Sequence, residues 1–403
     1  MGQLTNAKKL TPIGFIPEDW DYCQLREHLE LLTDYDANGS FADMANNVHT
    51  EFGSGYAWYV RATDLEQKTP LSEVRYADKS SYEFLKKSTL YGGEVLVAKR
   101  GEIGKVYYFV KPQNLRATLA PNLYLLKLKE SIHSQWLYYF FISPRGQELL
   151  KSINASTSLG AIYKEDVKNL CIPLPNLNEQ KKIAEALSRI DDMIGALDET
   201  IAKKRQIKEG LMQQLMTGKT RLPGFSGEWV ELELGAILSY EQPGPFLVHS
   251  TDYVETGIPV LTAGKTFILG YTNENFGIYD KLPVIIFDDF VTESKFVDFP
   301  FKAKSSAMKM LSLRDKTRHN IRFIYDVMQL IDFPMTDHKR WWIAEYSHLK
   351  VRVPASIEEE NAIANTFSSI DAEIHSLESQ RDKYRLIKQG MMQELLTGKT
   401  RLI

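Results

Sequence analysis

Two stretches of this chain place apolar residues at alternating steps of four and three. In the first they fall at Ile183, Leu187, Ile190, Ile194, Leu197 and Ile201. In the second they fall at Ile363, Phe367, Ile370, Ile374 and Leu377, with Tyr384 one heptad on. A period near 3.5 is the seam of a coiled coil, narrower than the face of a globular helix. The pattern predicts two helices of roughly 40 residues and about 60 Å each. Pro173 and Pro175 precede the first and Pro354 the second, where proline is tolerated near a helix start. Gly218 and Gly398 follow the last periodic leucines and suit a helix stop.

Elsewhere the pattern shortens to β-branched and aromatic runs bounded by Gly, Pro and Asp, which predict strands. EVLVAKR, GKVYYFV and NLYLLKL are three such runs, followed by a helix over about residues 134–153. PVIIFDD, KFVDFPF and AMKMLSL repeat the outline, followed by a helix over about 318–332. The expected fold is mixed α/β (α+β). A first globular domain takes residues 1–173 and a central helical spacer 174–222. A second globular domain takes 223–353 and a C-terminal helical spacer 354–403.

The two spacers are copies of each other. Residues 179–222 and 359–402 align without a gap and are identical at half their positions, ending in IKEGLMQQLMTGKTRL and IKQGMMQELLTGKTRL. The likeness runs on into the globules: Gly224, Phe225 and Trp229 follow the first copy, and Gly14, Phe15 and Trp20 stand near the start of the chain. The N-terminal segment therefore continues the C-terminal copy. Two helical copies separated by a globule within one chain favour an intramolecular antiparallel pair, in a pseudo-twofold circular arrangement where the chain ends meet. Such a rod fixes the distance between whatever sits at its ends. A plain dimerisation coiled coil is the alternative.

Composition narrows the function. The formal net charge is −3, which argues against a general nucleic-acid coat but leaves room for local cation clusters that meet phosphates. Residues 1–172 are near neutral, 173–222 slightly basic and the rest slightly acidic, so tight DNA binding should require a partner's positive charge. Cys23 and Cys171 make neither a disulfide framework nor a zinc signature, and no secretory or membrane-spanning segment is evident, so a cytoplasmic location is expected.

A divergent pair of α/β domains joined by near-identical helices resembles the specificity (S) subunits of Type I restriction–modification enzymes. PLPNLNEQKKIAEALSRID (174–191), the two TGKTRL tails, the GF…W entries, GGEVLVAKRGEIGKV (92–106) and PVIIFDDF…KFVDFPFKAKSSAMKML (283–311) carry the resemblance. It implies that each globule is a target-recognition domain reading one half of a split, asymmetric site in double-stranded DNA. It implies that the helices set the unread gap and dock two modification (M) subunits. Restriction (R) subunits complete the full complex. S-adenosylmethionine, ATP and Mg2+ then belong to the partner subunits, and this chain holds no cofactor, metal or catalytic residue. A coiled-coil adaptor without DNA readout is the competing expectation.

Base readout needs donors that reach base edges and cations that anchor phosphates. In the first globule the candidates are Lys99, Arg100, Lys105, Arg116, Thr118, Ser156, Ser158 and Tyr163. In the second they are Thr262, Lys265, Lys302, Lys304, Ser305, Ser306 and Lys309, with Lys309 aligned to Tyr124. Arg340, Trp341 and Trp342 either stack on bases or sit buried beside the rod. Gly-Lys-Thr occurs at Gly218, Gly264 and Gly398, but the glycine a phosphate loop needs five residues earlier is Gln213, Pro259 or Gln393. Asp288, Glu293 and Lys295 only loosely mimic a nuclease set, and a turn explains them.

Overall fold

The computed structural model describes residues 7–154, 160–262, 266–333 and 340–403, and the chain divides into two compact units. One unit comprises Met1–Ala196 with Gln380–Ile403, the other Leu197–Ser379. The predicted long helices are present as Leu177–Leu215 and Ile357–Leu395, and each gives one half to each unit.

In the first unit a four-stranded antiparallel sheet runs in the order Val106–Tyr108, Val95–Ala98, Leu123–Leu128, Leu29–Asp34. Val95–Ala98 and the first four residues of Leu123–Leu128 are buried on both faces of the sheet, which is why they run without alternation. Val95, Val97, Tyr124 and Leu126 pack with Trp136 and Phe140 of the helix Ser134–Ile142. The alternate residues Leu96, Ala98, Leu123 and Leu125 pack with Trp58 and Phe109. A second, five-stranded sheet pairs Arg116–Leu119 in parallel with Ala57–Val60.

The second unit repeats the plan in reduced form. Its four-stranded sheet runs Leu238–Glu241, Met308–Leu313, Val284–Asp288, Ser294–Val297. Ile285, Phe287 and Leu311 face one core with the helix Ile321–Met328, while Val284, Ile286, Met308 and Met310 face another. A three-stranded sheet again contains one parallel pair, Ile258–Leu261 with Lys302–Ala303. In both units a two-stranded ribbon leads into the long helix: Asp21–Gln24 with Cys171–Leu174, and Trp229–Glu233 with Lys350–Pro354.

The helix halves run antiparallel within each unit. In the first, Lys388 pairs with Asp191 (2.6 Å) and Arg401 with Glu179 (2.7 Å). In the second, Lys204 pairs with Glu373 (2.8 Å), Lys208 with Asp371 (2.5 Å) and Arg221 with Glu359. Of the predicted seam, Ile183, Leu187, Ile201, Ile363, Phe367 and Ile374 are buried, and Ile190, Ile194, Leu197, Ile370, Leu377 and Tyr384 are half-buried. Ile183 and Leu187 join a core holding Met392 and Leu395 of the other helix, Leu396 just after it, and Trp136 of the globule. Ile363 and Phe367 likewise join Leu215 and Met216. The seam thus binds helix to helix and helix to globule, each fully buried side chain contributing about 1.5–3 kcal/mol.

The repeated TGKTRL tails act as clasps. Gly218 (φ +69°) and Gly398 (φ +68°) end the helices in the left-handed conformation, so the Gly-Lys-Thr at these two sites is a cap and not a phosphate cradle. Arg401 then reaches Glu179 and Asp19 (2.7 Å each) and lies 5.7 Å from the Trp20 ring. Arg221 reaches Glu359 and lies 5.6 Å from the Trp229 ring. Among the described residues, no helix is long and apolar enough to cross a membrane.

Candidate nucleic-acid interface

The same turn stands at the end of the central strand in both domains. In the first, the N–H of Ala98 donates to the Lys105 carbonyl (3.0 Å), closing a turn of residues 99–104. In the second, the N–H of Asp288 donates to the Glu293 carbonyl (2.8 Å), closing a shorter turn of residues 289–292. The flanks match as well. Lys99 N–H meets the Asn122 carbonyl (3.0 Å) and Asp289 N–H the Ala307 carbonyl (3.2 Å). Ile162 N–H donates to the Lys99 carbonyl (3.1 Å) and Trp341 N–H to the Asp289 carbonyl (3.0 Å). Lys99 and Asp289 are therefore equivalent, as are Tyr124 and Lys309 across the adjacent strands.

In the first domain the turn borders a recess of about 510 Å³ lined by Asp34, Asp36, Lys99, Arg100, Tyr124 and Tyr163. Lys99 is buried at its floor, 3.0 Å from Asp34 and also paired with Asp36, while Lys164 binds Asp34 from the other side (2.7 Å). Burial opposes ionisation of Asp34, but Lys164 and Lys99 outweigh it and hold the carboxyl below its usual range. Burial, with Asp34 beside it, pushes the Tyr124 phenol up to about 12, so it stays protonated and donates to the Ile162 carbonyl (3.0 Å). Arg100 stands exposed at the rim with no ion pair among the described residues, beside exposed Tyr163. Gly101 (φ +87°) leaves open space where a side chain would be. Lys105 is partly neutralised by Glu102 (3.3 Å) and Glu66 (3.7 Å). Arg116 is exposed, 4.5 Å from the Tyr56 ring.

The second domain brings the loop after Ile258–Leu261 beside the loop after Lys302–Ala303, because Lys304 N–H donates to the Leu261 carbonyl (2.8 Å). Thr262 and Lys304 thus stand side by side at the ends of parallel strands. Lys304 and Ser306 are exposed, whereas the Ser305 hydroxyl accepts the Ala307 N–H (3.1 Å) and holds the loop.

Four expected contacts are corrected by burial. Thr118 is fully buried in its sheet beside Ser88. Lys99 is neutralised by its aspartates. Lys302 is fully buried, bound to Glu274 (2.8 Å) and to the Phe276 carbonyl (2.6 Å). Lys309 is buried against Asp289 (2.8 Å), 4.7 Å from the Tyr240 ring. A lysine sealed with its counter-ion has no free charge for a phosphate, so these three support the fold. Trp341 and Trp342 are buried too, which selects the structural alternative for them. Ser156, Ser158 and Lys265 lie outside the described residues. Asp288 of the nuclease-like set holds its own turn by accepting the N–H groups of Phe290 (2.8 Å) and Val291 (3.2 Å). The sequence reading missed these two exposed apolar residues, as well as Asp34, Glu274 and Asp289. The signal for Phe290 and Val291 was an apolar pair inside a predicted turn.

Comparisons with known proteins point to one family. The profile of the Type I restriction modification DNA specificity domain matches residues 17–209. The specificity subunit of Type I restriction enzyme EcoR124I/EcoR124II from Escherichia coli is 46% identical over 176 residues, which cover 40% of this chain and 43% of that one. A putative Type I restriction enzyme specificity subunit, MjaX of Methanocaldococcus jannaschii, is 26% identical over 98% of this chain and 97% of its own length. Among solved structures, a Type I restriction–modification S subunit from M. genitalium superposes with a TM-score of 0.66 at 16% identity, covering 98% of both chains.

Proposed function

Because this chain belongs to the family of Type I restriction–modification DNA specificity subunits, we propose that its two globules read the two halves of one bipartite, asymmetric DNA site. The observation that carries this reading is a contrast within the molecule. The arginine–glutamate clasps and the four-stranded sheets follow one plan in both domains, while the turns at the same point of the scaffold present different chemistry: Arg100 in one, Phe290 and Val291 in the other. Unlike turns on like scaffolds suit unlike half-sites, whereas an adaptor for symmetric partners has no use for the difference.

The helices supply the partner surface. Ile207 and Ile387 occupy equivalent positions of the repeat, and both are exposed. Gly210 and Gly390, one turn on, face open space. A glycine in a helix interior costs about 1 kcal/mol relative to alanine, and nothing among the described residues packs there to repay it. The same exposed notch, present twice, suits the same partner twice, which fits two modification subunits. Those subunits bring S-adenosylmethionine and methylate adenine. Restriction subunits add ATP- and Mg2+-dependent steps. This chain performs no chemistry and acts in the cytoplasm, its helices setting the unread gap.

Mapping methylated adenines in cells that carry the complex tests the reading. The expected result is a non-palindromic bipartite motif with a fixed gap, of which only one half changes when residues 223–353 are exchanged for those of a relative. A palindromic motif, or methyl transfer by this chain alone, would overturn it.

A further inference from the structure

The turn of the second domain ends in two adjacent apolar side chains, Phe290 and Val291, 45% and 42% exposed. The turn is stiff. Asp288 accepts both of their N–H groups through its carboxylate and the Thr292 N–H through its carbonyl. Thr292 is held at φ +55°, a conformation β-branched residues rarely adopt without support. Beneath the tip, Asp289 is fixed by Lys309 and by the N–H of Trp342 (2.9 Å).

Cations stand close along the chain to the segments bonded to this turn. Asp289 is hydrogen-bonded on one side to Ala307, three residues beyond Lys304, and on the other to Trp341, next to Arg340. Lys304 and Arg340 are exposed, and neither has an ion pair among the described residues. A rigid apolar point, with uncommitted cations on the two segments bonded to it, matches the edge of a DNA strand. The cations suit phosphates, and the apolar tip suits the C5-methyl of thymine, which the major groove exposes. The equivalent turn of the first domain carries Arg100 instead, the side-chain type that pairs with guanine.

We propose that Phe290 and Val291 read thymine C5-methyl groups in the half-site of the second domain. This rests on the reading of the chain as a DNA specificity subunit.

The test uses the complex with its modification subunits and duplexes carrying the mapped site. Each thymine of the second half-site, on either strand, is replaced in turn by deoxyuridine, which lacks only the methyl. At least one replacement should weaken binding by wild type about fourfold, the effect of one buried methyl-sized group. The Phe290→Ala/Val291→Ala variant should bind the thymine and deoxyuridine duplexes alike. Both complexes should still discriminate base changes in the first half-site, which shows that the variant is folded and that DNA specificity resides in this chain. The proposal is overturned if no thymine of that half matters to wild type, or if the deoxyuridine penalty persists undiminished in the variant. Loss of discrimination at both half-sites by wild type would sink the functional reading itself, a result distinct from either.

Discussion

The two units follow one plan and differ in how each neutralises a buried charge. In the first clasp Glu179, fully buried, receives Arg401, the indole N–H of Trp20 (3.1 Å) and the N–H of Leu402 (3.4 Å). In the second, Glu359 receives Arg221, while the indole N–H of Trp229 has no hydrogen-bond partner among the described residues. At the turns the difference becomes an inversion. Lys99, buried against two aspartates, occupies the place that Asp289, buried against one lysine, occupies in the other domain. What the scaffold holds constant is neutrality beneath the turn; the sign of the residue there is free. The side chains above can then vary without loss of the fold, which is what the proposed reading of unlike half-sites requires.

The clasps give the largest test of this comparison. Arg221→Ala strands a buried carboxylate with no other donor among the described residues and should cost about 3–5 kcal/mol. Arg401→Ala leaves Glu179 two of its donors and should cost less. Denaturant unfolding of the two variants, with hydrogen exchange to assign the loss to one unit, measures the difference. Equal losses would show that the extra donors on Glu179 contribute nothing.

The turns come next. Lys309→Met leaves Asp289 charged and buried and should destabilise the second domain by about 3–5 kcal/mol. Lys99→Met should cost less, about 1–3 kcal/mol, because Lys164 still holds Asp34 and Asp36 is exposed to water. Adding Asp289→Asn to Lys309→Met should restore most of the loss, since the asparagine carbonyl still accepts the Trp342 N–H. Failure of that rescue would mean that the lysine stem, and not neutrality, is what the site needs.

These pairs also explain what was legible in the chain. The 3.5-residue period predicted both long helices because it persists over many turns, and the matching TGKTRL tails marked the repeat. The tails' work as clasps was hidden, since Glu179 and Arg401 lie 222 residues apart in the sequence. The same blindness misplaced Lys99, Lys302 and Lys309 on the DNA surface. A lysine is visible in a sequence, but its counter-ion is not when it sits 20 to 65 residues away, as Asp34, Glu274 and Asp289 do. Thr118 was misread for a related reason: a hydroxyl in a short strand looks exposed until another segment, here the turn that carries Ser88, covers it. Arg100 and Lys304 lie on loops at strand ends, where chain position alone brings a side chain to the surface.

The smallest effect concerns acid, and it separates the domains by their carboxylates. The hydrogen bond from Lys302, with N–H groups of Ser250 and His249, holds the Glu274 carboxyl down at about 2. A group depressed in the folded state stabilises it at every pH above its unfolded value, about 4.3 for glutamate. That contribution is lost as pH falls from there towards 2. The second domain should therefore weaken across this window, as read from hydrogen exchange of its sheet amides. Glu274→Gln should lower stability at neutral pH and flatten the decline, because no proton is then taken up at that site. In the first domain Asp34 is depressed as well, so its loss begins lower, below the aspartate value of about 3.9. A Glu274→Gln variant whose acid decline matched wild type would show that Lys302 is held by the Phe276 carbonyl and ring alone, and that its carboxylate partner is incidental.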